Sequence, residues 1–157
     1  MQPHLDYTKV APEVYRAMLS LEKTINGSGL EDTLLDLVRL RVSQMNGCAF
    51  CLDMHAKDLR ARGESEQRVY MLNAWRESPF YSERERAALA WAEALTRVSE
   101  SQVSEELFES ARRQFSEAEL ANLTLAVVSI NGWNRLNVAF KIPPGDYQPT
   151  CIQQSKS

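Results

Sequence analysis

Three times along this chain a serine is followed three residues later by a glutamate, just ahead of an apolar run: Ser28 with Glu31, Ser82 with Glu85, and Ser116 with Glu119. In such a pair the serine hydroxyl caps an unpaired amide in the first turn of a helix while the glutamate reaches back to the serine amide, so each marks a helix start. The apolar residues behind them recur at helical spacing, and no stretch shows the period-two alternation of a half-buried strand. The fold class is therefore all-α, with about seven helical segments. The first begins near Pro12 and carries Val14, Met18, Leu21 and Ile25 before Gly27. The second runs from the Ser28 cap to Met45 and is apolar around much of its circumference, which implies a central position. Asn46-Gly47 breaks it, and a third runs from about Cys48 to Arg62, ended by Gly63. A short segment from Val69 to Trp75, helices opened by Ser82 and Ser104, and a long one from Ser116 to Phe140, stopped by Pro143-Pro144, complete the set.

A chain of 157 residues suits one domain, 1–157, with an extended polar tail from about position 143. Apolar residues at 44% and charged residues at 25% fit a soluble globular protein. A net charge of -3 offers no electrostatic reason to expect nucleic acid or an anionic membrane as partner. With no apolar run of about 18 residues and no leader-like start, the expected location is the cytoplasm. The segment Ser43-Gln44-Met45-Asn46-Gly47 is faintly echoed by Ser129-Ile130-Asn131-Gly132, where Trp133 stands in place of Cys48. Trp75, Trp91 and Trp133 fall at helical spacing with apolar neighbours and read as core.

Two of the three cysteines form one Cys-x-x-Cys, which in a reducing compartment points to redox or metal chemistry rather than a structural disulfide framework. Cys48 and Cys51 are i and i+3, and His55 is i+4 from Cys51. At 100° per residue all three fall within about a 60° arc of one helix face. Helical residues three apart have Cα atoms about 5–5.5 Å apart, inside the range a disulfide spans, so the pair can open and close without rebuilding the backbone. A helix N-terminus at Cys48 and an imidazolium near Cys51 would each lower a thiol pKa and raise the thiolate share, and the thiolate is the nucleophile. A metal reading lacks a fourth ligand and no metal is expected; covalent haem is ruled out because Leu52, not histidine, follows Cys51. If the second and third helices form a hairpin about Asn46-Gly47, Asp36 falls near the level of His55 and can orient it; otherwise Asp36 is a charge paired with Arg39 or Arg41. Arg41, among apolar neighbours, reads as snorkelling or salt-bridged. His4 and Cys151 read as bystanders.

The run from Asp36 through Arg41, Ser43 and Asn46-Gly47-Cys48-Ala49-Phe50-Cys51 to His55 resembles the core motif of the alkyl hydroperoxidase D family, within the carboxymuconolactone decarboxylase-like superfamily. The specific resemblance covers about residues 30 to 75. It implies an all-helical homo-oligomer, trimer or hexamer, that reduces organic hydroperoxides through a thiol pair with no cofactor, and is reset by a dithiol or protein reductant such as a lipoyl-bearing protein. It further implies Cys48, Cys51 and His55 as catalytic residues, with Cys51 meeting the peroxide and Asp36 in the place of the family's relay glutamate. Asp36 is one methylene shorter than that glutamate, and Phe50 stands where some members have histidine. The rival readings are a lyase of the decarboxylase branch with His55 as acid-base group, and a non-catalytic thiol sensor or oligomeric partner.

Overall fold

The computed structural model describes residues 2–149 and contains eight α-helices and no strand among them. They are α1 (Tyr7–Val10), α2 (Pro12–Asn26), α3 (Asp32–Asn46), α4 (Ala49–Ala61), α5 (Glu66–Met71), α6 (Glu83–Thr96), α7 (Glu105–Gln114) and α8 (Glu117–Ala139), with one 3-10 turn, Leu72–Ala74, after α5. The all-α class holds. One helix more than expected comes from α1, whose four residues are too few to show a period and whose cap is the Asp6 carboxylate on the Thr8 amide. Cys151 lies outside the described residues.

The capping boxes at Ser82/Glu85 and Ser116/Glu119 are both formed, each with the two reciprocal bonds. Ser28/Glu31 is not a capping box. Its helix starts later, at Asp32 with Glu31 at the cap position, and Ser28 Oγ accepts instead from the Leu30 amide. With Glu31 itself at the cap rather than at the third helical position, its carboxylate bonds Arg84 at 2.8 Å.

Every residue of α3 from Leu34 to Ser43 is buried, as its all-round apolar character implies. It packs along α4, α6 and α8. Leu35, Val38 and Val42 face Ala88, Ala92, Leu123, Val127 and Ile130 in one cluster, while Leu37 and Leu40 meet Leu59, Leu72, Trp75 and Leu89 in another. Each such leucine or valine, fully buried, contributes about 1.5–3 kcal/mol over an exposed one. Asp36, Arg39 and Arg41 of α3 are buried with it and must be paired. Arg41 is salt-bridged, as its apolar neighbours suggested, to Glu93 at 2.6 Å, and Glu93 also accepts from Trp75 and Arg76. Among the described residues no helix is long and apolar enough to cross a membrane.

Past α8 the chain does not run free. Lys57 holds the carbonyls of Gly145 and Tyr147 at 3.0 Å, and the Tyr147 hydroxyl donates to Asp58 at 2.6 Å, so this segment straps back over α4.

Candidate functional site

The thiol pair sits where α3 turns into α4. Gly47 closes α3 at φ 66, a left-handed conformation that a residue with a Cβ enters only at a cost, and the Gly47 and Cys48 amides both return to the Ser43 carbonyl. Cys48 is thereby placed at the N-cap of α4, its sulfur accepting from the Cys51 amide at 3.3 Å. The two cysteines are joined as a disulfide with Cα atoms 5.3 Å apart, within the separation expected from their spacing. Both are buried.

A cavity of about 930 Å³ opens on this junction, bounded by α2, α3, α4, α8 and the two terminal segments. Cys51 and His55 line it, whereas Cys48 does not. Asn137 of α8 donates through Nδ2 to Cys51 Sγ at 3.3 Å, and its Oδ1 accepts from the Tyr7 hydroxyl at 3.0 Å. Burial pushes the Tyr7 phenol up to about 12, so it stays protonated and able to donate. This chain of donors fixes the orientation of the Asn137 amide with its N–H pointing at sulfur. Sequence reasoning missed both residues. Asn131, Asn134 and Asn137, recurring at three-residue spacing on α8, were a visible signal, whereas Tyr7 gave none.

His55 is buried, and neither ring nitrogen has a hydrogen-bond partner. The nearest acid is Asp58 on the same helix, with Oδ2 3.9 Å from Nδ1, beyond hydrogen-bond reach. Burial, with Arg39 adding repulsion, brings its pKa down to about 3. The imidazolium expected beside Cys51 is therefore replaced by a neutral imidazole, whose one N–H and one lone pair make no hydrogen bond among the described residues.

Asp36 lines the same cavity but makes no hydrogen bond to His55. Its Oδ1 accepts from Arg39 at 3.0 Å and its Oδ2 from Arg62 at 2.8 Å. The Arg39 pairing is one the sequence left open. Arg62, at the C-terminal cap of α4, reaches back across the hairpin and takes the oxygen that a residue at the level of His55 would need. Burial still pushes the Asp36 carboxyl above the ordinary carboxylate range, against the pull of both guanidiniums. Trp133 is only partly buried: it packs against the core and also lines the cavity, its indole donating to Glu22 at 3.1 Å. Trp75 and Trp91 are buried as expected. Among the described residues no three His, Cys, Asp or Glu side chains converge to hold a metal ion.

The chain that builds this site has relatives in sequence and in fold. The sequence profile of the Carboxymuconolactone decarboxylase family matches residues 12–94. The protein YdfG of Bacillus subtilis (strain 168) is 42% identical over 139 residues, spanning 88% of this chain and 95% of its own. The crystal structure of ATU0492 from Agrobacterium tumefaciens, a protein of unknown function provisionally described as the antioxidant defence protein AhpD, superposes with a TM-score of 0.87 at 41% identity, covering 95% of this chain and 99% of that one. A peroxidase-related protein of Ralstonia eutropha JMP134 with an AhpD core shares the fold at 20% identity, with a TM-score of 0.78 over 88% of this chain and 74% of that one. On these grounds the chain belongs to the alkyl hydroperoxidase D and carboxymuconolactone decarboxylase-like family.

Proposed function

We propose that the chain is a disulfide-forming peroxidase for organic hydroperoxides. The observation that carries this reading is that Cys51, and not Cys48, lines the cavity, while Cys48 is already within bonding distance of it. In the reduced enzyme the neutral imidazole of His55 takes the Cys51 proton. The thiolate attacks the terminal peroxide oxygen, the O–O bond breaks, and the leaving alkoxide takes up the proton from His55 to depart as an alcohol, so that Cys51 is oxidised to a sulfenic acid. The Cys48 thiol then displaces hydroxide from that sulfur, which leaves as water, and the disulfide forms. A dithiol reductant returns two hydrogens and is itself oxidised to its disulfide. The Asn137 amide, donating to Cys51 Sγ, stabilises the thiolate so formed.

Asp36 enters this reading as the relay acid, reaching His55 through a bridging water, since carboxylate oxygens bonded to Arg39 and Arg62 retain acceptor capacity. The reductant is a dithiol, free or carried by a lipoyl-bearing protein. A cytoplasmic homo-oligomer, trimer or hexamer, completes the proposal, in keeping with the exposed Val128 and Val138 on α8.

The deciding experiment is peroxide-dependent turnover with a dithiol reductant. Wild type should turn over, Cys51→Ser should be silent, and Cys48→Ser should consume about one equivalent of peroxide and stall. Undiminished turnover by Cys51→Ser would overturn the assignment, and disulfide formation without turnover would leave a thiol sensor.

A further inference from the structure

The cavity beside Cys51 has an unequal distribution of charge. Among the described residues, Arg39 and Arg62 are the only lysine or arginine side chains that line it, and each is already taken twice. Arg39 bonds Asp36 at 3.0 Å and Glu22 at 2.7 Å. Arg62 bonds Asp36 and Asp32, each at 2.8 Å. Two guanidiniums are thus shared among three carboxylates. Asp58 adds a fourth, and its bonded partner, the Tyr147 hydroxyl, is neutral. Asp6 lines the cavity too, already paired with Lys9 at 2.9 Å. Among the described residues no lining lysine or arginine is without a carboxylate partner. Much of the rest of the wall is apolar, aliphatic at Leu19, Met54 and Ile142 and aromatic elsewhere: Tyr15 and Trp133 meet edge to face with ring centroids 5.8 Å apart, and Phe50 lies beside Cys51 in the chain.

Resting on the peroxidase reading above, we infer that this cavity is built for an uncharged aromatic hydroperoxide and discriminates against one bearing a carboxylate. A carboxylate brought into the cavity leaves water without a counter-ion and meets surplus negative charge, whereas an uncharged aryl group gains the faces and edges of Tyr15, Trp133 and Phe50. The reacting O–OH group is brought to Cys51, which shares the cavity wall with His55. The shortage of cations equally disfavours a carboxylated lactone, the kind of substrate the family name denotes, and so weighs against the lyase reading.

Stable alcohols separate binding from chemistry. With the oxidised full-length protein, titration calorimetry should show 2-phenyl-2-propanol binding at least about tenfold tighter than its para-carboxylate, a difference of about 1.4 kcal/mol. Asp32→Asn, at a largely exposed side chain, frees one donor of Arg62 and should narrow that ratio severalfold by strengthening the carboxylate alone. Phe50→Ala should weaken the uncharged alcohol more than the charged one. Turnover of cumene hydroperoxide should exceed that of its para-carboxylate in kcat/KM by a similar factor. Equal or tighter binding of the carboxylate, no binding of either alcohol up to millimolar concentration, or a ratio unmoved by Asp32→Asn would overturn the inference. A protein that binds the uncharged alcohol selectively yet turns over no peroxide would refute the peroxidase reading and leave the selectivity standing.

Discussion

At Asn46-Gly47 the chain leaves one helix and enters the next, while at Asn131-Gly132 the same dipeptide runs through α8 without a break. The two glycines serve different ends. Gly47 stands at φ 66 with nothing within 4 Å of where a Cβ would be, so glycine is there for the backbone angle. Gly132 is helical, and a Cβ on it would meet Met18 Cε of α2 at 3.0 Å, so glycine is there for the close approach of two helices. Both asparagines bond across helices: Asn131 donates to Thr96 of α6 at 3.1 Å as well as to the Val127 carbonyl of its own helix at 2.9 Å, and Asn46 donates to Asn131 and Asn134 on α8 at 3.0 and 2.9 Å. One half of the molecule breaks to present a thiol at a helix start, and the other stays continuous to back it.

Four measurements can break or sharpen that contrast. The largest effect should come from His55, the titratable group buried behind the turn. Its folded pKa of about 3 lies below the ordinary 6.5, so as pH falls the unfolded chain takes the proton first. Stability is thus unaffected above about pH 6.5 and is lost from there down to about pH 3. Relative to His55→Leu, wild type should lose about 3 kcal/mol between pH 7.5 and pH 4, read from urea melts. A difference that stayed constant with pH would mean that the folded protein supplies the imidazolium with a partner.

Next is the polar clasp joining the halves. Asn134 donates to Ser43 Oγ at 3.0 Å, accepts from Asn46 and is buried, so Asn134→Ala should destabilise by about 2 kcal/mol in denaturant melts. A loss under half of that would show that the two halves are held by apolar contacts alone. Gly47→Ala, which forces a Cβ into the left-handed region, should cost about 1 kcal/mol, measured the same way. Gly132→Ala should fall within about 0.5 kcal/mol of wild type, because better helix propensity offsets a contact with the mobile end of Met18. If Gly132→Ala proved the costlier of the two, the close helix approach at Met18 would be a stricter demand than the backbone angle at Gly47.

Much of this contrast was legible in the residues. The Ser82/Glu85 and Ser116/Glu119 boxes hold because both partners lie in one turn, even though Arg68 and Arg84 also engage the two glutamates. Ser28/Glu31 fails because the helix starts later than the pattern marks, with Glu31 itself at the cap and its carboxylate turned to Arg84. Trp133 was indistinguishable by spacing from Trp75 and Trp91, and only the neighbours of α8 set it on the cavity wall. The hairpin register brought Asp36 to the right cavity, yet Arg62 claims the carboxylate from farther along α4.

The sharing of one helix face by Cys48, Cys51 and His55 follows from 100° per residue and needs no fold. So does the cysteine spacing that matches 5.3 Å between Cα atoms. Which sulfur faces the cavity, that Asn137 from 86 positions away points its amide at it, and that His55 is neutral were decided by packing. Their cause is physical: hydrogen-bond partners and desolvation at a buried atom are set by whatever the rest of the chain brings to it, and local periodicity carries no record of that.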